Sequence, residues 1–305
     1  MSRMDQSAQR ENLIGAALAG LRSGDLRQAD DALRQLLEEL PDDPATHQVA
    51  AVIALAKNDH PTARKHASIS LQARPHHGPT LLIAGRAARL AGDLTEADRH
   101  FTTALQLEPQ RSEAAFLTCV TRLERGDPSA RQMLDQLISR FPEDADGWFE
   151  IGLSLQRAEK LDAALSAFER AHRRADSHLR RGLILQQRQQ IVAAIAAYEA
   201  AVTVDARQAE AWFRLGVLYQ DTQQPQRAIA AYRQTLAHSP DLAEAEVNLG
   251  LLLQETGDLD AAYTSYRRAL RQRPESFGRI AQGLSTARHG ELWLDLQKLR
   301  QFLQA

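Results

Sequence analysis

The 305-residue chain has a single cysteine, Cys119. No intrachain disulfide can form, and a reducing compartment is the natural setting. No apolar run approaches the ~20 residues that a membrane helix needs, which argues against membrane insertion. An excess of one charge is missing too. Lys and Arg number 37 and Asp and Glu 39, for a net charge of -2. Neither nucleic acid nor an anionic membrane surface is indicated as a partner. The usual catalytic signatures are absent: no phosphate loop, no G-x-S-x-G, no H-E-x-x-H. His60, His66 and His100 stand at no ligand spacing, and the adjacent His76 and His77 fall in a turn. No catalytic residue, metal or cofactor is assigned. The segment "LIGAALAGL" (13–21) has Asp5 and Glu11 before it and no small-residue cleavage site after it. It is therefore not read as a signal peptide, and a cytoplasmic location is expected.

With 25% charged and 44% hydrophobic residues, the composition is that of a globular chain. Its length alone would suggest about two ordinary domains. The local pattern says otherwise. "WFRLGVLY" (212–219) places Trp212, Leu215, Gly216 and Tyr219 on one face of a helix. A glycine there costs about 1 kcal/mol relative to alanine. Shifting by 34 residues puts Leu249 and Gly250 on Leu215 and Gly216. Eight units follow: 10–43, 44–77, 78–111, 112–144, 145–174, 175–208, 209–242 and 243–276. Six are 34 residues long, one 33 and one 30. A fixed period of this size marks stacked repeats.

The eighth position is always small: Ala17, Ala51, Gly85, Cys119, Gly152, Gly182, Gly216 and Gly250. A second site is alanine in every unit, from Ala29 to Ala262. Pro41, Pro75, Pro109, Pro142, Pro240 and Pro274 end six units and must lie at helix ends. Gly24, Gly92, Gly126 and Gly257 fall mid-unit, where a turn joins two helices. Each unit therefore reads as helix A, a tight turn and helix B. Gly216 is expected to admit helix B, with Ala228 facing it. Cys119 reads as a small packing residue rather than a catalytic thiol.

This pattern resembles the tetratricopeptide repeat family over residues 10–276, most closely in units 209–240 and 243–274. The resemblance implies an all-α fold, a right-handed superhelical solenoid of stacked helix-turn-helix repeats. It implies a concave groove, lined mainly by A helices, that binds a peptide or a partner helix. Residues 1–9 are expected to be a disordered lead and 277–305 to form capping helices. In the last stretch Leu292, Leu296, Leu299 and Leu303 make a helical stripe. Its first reading is a cap over the last repeat. The alternative is a docking helix for a partner or a second copy; a monomer is the expected state.

The fifth unit is short, and its missing residues are expected to come from the linker, with changed stacking near 172–178. The same region is arginine-rich, from Arg170 to Arg188. A solvated edge is the plain reading, an acidic-partner site the other. In the family, groove residues stand at positions 2, 5, 6, 9, 12 and 13 of helix A. The lysine and asparagine of the family's carboxylate-gripping members are missing. Of the asparagine ladder known in its sugar-transferase arrays, only Asn248 remains. Units one to four should present a mostly apolar face. In the later units Gln156, Gln186, Gln220 and Gln254 form a ladder able to bond an extended backbone. The plainer reading is that glutamine is simply a good helix former. The partner-binding residues expected are Phe149, Leu153, Gln156, Arg180, Leu183, Gln186, Phe213, Arg214, Val217, Gln220, Asn248 and Gln254.

The reading is a non-enzymatic interaction scaffold with a protein or peptide partner. The alternative is a targeting component for a transferase or hydroxylase. With the chain ending at Ala305, that catalyst is expected on a separate polypeptide. The Ala-, Arg- and Gln-rich composition points to a GC-rich bacterial genome.

Overall fold

The computed structural model describes residues 3–286 and 295–304. Among these residues there are eighteen α-helices, one 3-10 turn and no strand. The chain divides into two compact units, Met1–Arg170 and Ala171–Ala305. The first contains five helix pairs: α1 (Arg3–Ser23) with α2 (Leu26–Glu39), α3 (Pro44–Ala56) with α4 (His60–Ala73), α5 (Gly78–Leu90) with α6 (Leu94–Leu107), α7 (Ser112–Arg125) with α8 (Ser129–Arg140), and α9 (Ala145–Arg157) with α10 (Leu161–Arg170). The second contains α11 (Ala175–Gln187) with α12 (Ile191–Val204), α13 (Ala209–Asp221) with α14 (Pro225–His238), and α15 (Ala243–Glu255) with α16 (Leu259–Gln272). The 3-10 turn Pro274–Ser276 then leads to α17 (Phe277–Thr286) and α18 (Leu296–Gln304).

Local chemistry sets the helix ends. Asp25, Asp43, Asp59, Asp93, Asp144 and Asp258 each accept a first-turn backbone N–H. The six repeat-ending prolines all lie outside the α-helices, where no backbone donor is lost. The intra-repeat turn needs one left-handed residue. Gly24, Gly92, Gly126 and Gly257 supply it, and Asn58, Glu159, Gln189 and Gln223 take the same conformation in the other repeats.

Gly216 does make room for helix B of its own repeat, but for a different residue from the one expected. A Cβ there would lie 2.6 Å from Cε1 of Tyr232, and one at Gly250 would lie 2.5 Å from Cε1 of Tyr266. Phe101, Phe168 and Tyr198 lie over Gly85, Gly152 and Gly182 in the same way. The space opposite Gly216 is thus filled by the ring of Tyr232, not by Ala228. Burying an aromatic ring contributes roughly 1.5–3 kcal/mol, enough to offset the glycine. Where the eighth position carries a Cβ, as in Ala17, Ala51 and Cys119, helix B offers Leu33, Ala67 and Leu134 instead. The alanine site has its own partner. A Cβ at Gly20 would meet the Ala29 backbone nitrogen at 2.8 Å, so helix B approaches helix A closely there.

Helix α1 begins at Arg3, within the stretch 1–9 expected as a lead. One further expectation is corrected. The fifth repeat keeps its linker, 171–174, and loses a turn of helix: α10 has 10 residues, whereas α12 has 14. The boundary between the two units falls at this shortened helix. In the terminal stripe, Leu299 and Leu303 are buried and Leu296 is exposed. Leu292 lies outside the described residues. Phe302 of α18 meets Tyr263 of α16 edge-on at 5.1 Å.

Candidate functional site

The A helices of the second unit set a row of half-buried apolar side chains, Leu183, Val217 and Leu251, one per repeat. Phe213 is also half-buried, its ring tilted against Tyr232 at 5.9 Å. Leu179 and Val247, at the same register as Phe213, are buried. Beside this row stand Arg180, exposed, and Arg214, whose Nη2 donates to Glu210 at 3.3 Å. An apolar row next to guanidinium groups suits a segment that combines hydrophobic and polar contacts.

The glutamine ladder has an internal partner. The Tyr198, Tyr232 and Tyr266 hydroxyls donate to Oε1 of Gln186, Gln220 and Gln254 at 2.8, 3.2 and 2.7 Å. These rings are fully buried, so each hydroxyl needs an acceptor. Burial pushes the Tyr198 phenol up to about 12 and raises those of Tyr232 and Tyr266 as well, which keeps them proton donors. Asn248 is also committed. Its Nδ2 donates to the Tyr232 hydroxyl at 3.2 Å, and its Oδ1 accepts from Arg279 at 2.7 Å. Asn248 and Gln254 are buried. Neither presents a free surface to a partner, which corrects their expected role as direct contacts. Gln186 and Gln220 remain half-buried at the edge of the face.

Helix α17 contributes what the repeat register did not foresee. Arg279 and Gln282 join Gln220, Leu251 and Gln254 around a cavity of about 280 Å³. Treating 277–286 as a ninth A helix would have placed Gln282 at the sixth position, a groove position of the family register.

In the first unit Phe149, Leu153 and Gln156 are half-buried on α9. The Phe149 ring lies 5.8 Å from Phe168, which has no hydroxyl for Gln156 to accept. An ion-pair network runs along the A helices of the third to fifth repeats, on a face expected to be mostly apolar in units one to four. Arg86 pairs with Glu113 at 2.7 Å, while Arg89 and Arg157 share Glu124 at 3.3 and 2.7 Å. Arg89, Glu124 and Arg157 border a cavity of about 500 Å³. Arg89 stands at the twelfth position and Glu124 and Arg157 at the thirteenth, both groove positions of the family register, so reading those positions in the early repeats as well would have found them.

Cys119 is fully buried, and burial raises its thiol to about 12. A thiol so protonated is a packing group, not a nucleophile. Among the arginines from 170 to 188, Arg170 lies over Trp148 at 5.2 Å and Arg174 pairs with Asp176 at 3.5 Å. Among the described residues no helix is long and apolar enough to cross a membrane.

A family model described as "Tetratricopeptide repeat" matches residues 14–77, 123–178 and 215–277, and one described as "TPR repeat" matches 182–223. No curated protein matches the sequence. Among solved structures the chain is similar to the APC/C hetero-tetramer Cut9-Hcn1 at 19% identity and TM-score 0.50, over 78% of this chain and 48% of that one. The chain thus spans about half the length of that structure's chain. It is similar to the C-terminal part of a TPR repeat-containing protein from Cytophaga hutchinsonii at 17% identity and TM-score 0.48, over 77% and 99% of the two chains. The Pseudomonas aeruginosa pilF protein follows at 17% identity and TM-score 0.45, over 79% and 97%. At such identities the first of these likenesses bears on the fold alone.

Proposed function

The chain belongs to the tetratricopeptide repeat family, and from that premise we propose a non-enzymatic interaction scaffold. Its ligand is an extended segment or an amphipathic helix of a protein partner, held on the A-helix face of the second unit. The observation that carries this reading is the row Leu183, Phe213, Val217 and Leu251, half-buried beside Arg180 and Arg214. The glutamines and Asn248 serve it from behind. By holding the buried tyrosines they fix the rings against which Phe213 rests, which pre-organises the face. Phe149, Leu153 and Gln156 belong to the first unit, and the proposed surface does not require them.

The test is a cross-linked pull-down from native lysate, read by mass spectrometry. Val217→Glu combined with Arg214→Glu alters the face without touching a fully buried residue. Partners recovered by the wild type and lost by this folded variant support the reading. Partners retained in full overturn it.

A further inference from the structure

The B-helix side of the second unit carries a different feature. Between α14 and α16 lies a slot of about 510 Å³. Leu249 and Leu253 of α15 form its floor, Leu236 and Ala261 its walls, and Arg233 and Arg268 its rims. We propose that this slot docks an acidic segment of a partner protein, with an apolar side chain inserted between flanking carboxylates.

The charge distribution selects the occupant. Helix α14 carries Arg227 and Arg233 and no acid, and α16 carries Arg267, Arg268 and Arg271 against Asp260 alone. Of these Arg233 and Arg268 line the slot, whereas Arg227 pairs with Glu199 and Arg267 lies over the Phe302 ring. In a chain of net charge -2 this concentration is local, not compositional. Arg233 is exposed and has no ion pair among the described residues. Arg268 is steered from below. Its Nη1 lies 3.7 Å from Oε1 of Glu246, an almost fully buried residue whose other oxygen has no hydrogen-bond partner. Glu246 stands at the register of Trp148, His178 and Trp212, whose ring nitrogens bond to the preceding turn.

Two comparisons within the chain sharpen the choice. The slot between α4 and α6 in the first unit is smaller, about 290 Å³, and Arg64 there is bonded to Glu96 and Asp93. In the second unit the registers of Arg64 and Glu96 are held by Ile229 and Ala261, and Arg233 stands instead at the register of Ser68, so this slot lacks the ion pair that closes the other. Next along the second unit, α16 is covered by α18, which buries Leu299 and Leu303 and sets Phe302 on Tyr263. An apolar-anchored segment is therefore how this chain itself fills the neighbouring groove.

The test is fluorescence anisotropy with a short fluorescein-labelled peptide of core Glu-Leu-Leu-Glu, and with its Lys-for-Glu counterpart. The full chain should bind the acidic peptide and not the basic one. Arg233→Glu with Arg268→Glu should weaken binding by about tenfold or more. Filling the slot with Ala237→Trp, or with Thr264→Trp if that variant folds better, should do the same, since both positions are exposed. Val217→Glu, on the A-helix face, should leave this affinity unchanged, which separates failure here from failure of the proposed function. No binding by the wild type overturns the proposal. So does binding that survives slot filling, which would mean charge attraction alone, or binding lost in Val217→Glu.

Discussion

In the second unit Tyr198, Tyr232 and Tyr266 stand at one register position, each fully buried over a glycine. In the first unit that position holds Leu33, Ala67, Phe101, Leu134 and Phe168. The second unit's core is one cluster that runs from Leu179 to Leu303. The first includes separate small clusters, such as Ala51 with Ala67 and Ala84. The difference shows how one choice recruits others. A buried tyrosine needs space, so the facing residue is glycine; it needs an acceptor, so the twelfth position is glutamine. Phe101 and Phe168 need only the space, and Arg89 is free to join an ion network instead.

Breaking the aromatic register should have the largest effect. Tyr232→Ala removes a fully buried ring and should destabilise the second unit by about 3–5 kcal/mol in urea denaturation. Adding Gly216→Ala copies the Ala51–Ala67 pair of the second repeat and should recover part of that loss. An additive double variant would mean that the two sites are not packed together.

Removing only the hydroxyl isolates the ladder. Tyr266→Phe should cost about 1–3 kcal/mol, because Gln254 Oε1 is left buried without its donor. With Gln254→Leu added, the repeat resembles those built on phenylalanine, and most of the loss should return. If Tyr266→Phe is neutral, the glutamines are not structural.

Glu246 separates the eighth repeat from the others by pH. Burial raises its carboxyl above the usual range. A group whose folded pKa is raised favours the folded state fully below its unfolded pKa. It loses that contribution as pH rises through the raised value. Wild-type stability should therefore fall across that window, and Glu246→Gln should flatten the fall. Equal slopes for the two proteins would contradict the assignment.

The smallest effect belongs to the turns. Gln223→Gly removes a left-handed non-glycine residue and should stabilise by up to about 1 kcal/mol, whereas Gly257, already glycine, offers no such gain. Thermal denaturation of Gln223→Gly reads this directly, and a loss of stability would show that Gln223 is held by something other than turn geometry.

Much of this was legible in the sequence. The period, the helix pairs, the prolines between helices and the small eighth position follow from backbone rules that act within each repeat. What escaped depends on contacts between non-adjacent positions. Ala228 looked like the partner of Gly216 because both are small, yet the longer reach of Tyr232 fills that space. The ladder looked free because each glutamine meets its tyrosine only after the chain has turned back, 12 residues later. That constant separation was present in the sequence and is the signal that would have found it. The shortened α10 was hidden because a four-residue deletion nearly preserves helical phase. Gln282 was hidden because the register fades where α17 begins.

The most direct measurement places a photo-reactive benzoylphenylalanine at residue 217 in one protein and at residue 52 in another, each irradiated in cells. Val217 and Val52 occupy the same register, one in each unit. A partner adduct at 217 and none at 52 is the predicted result. An adduct at 52 alone would contradict the assignment of binding to the second unit.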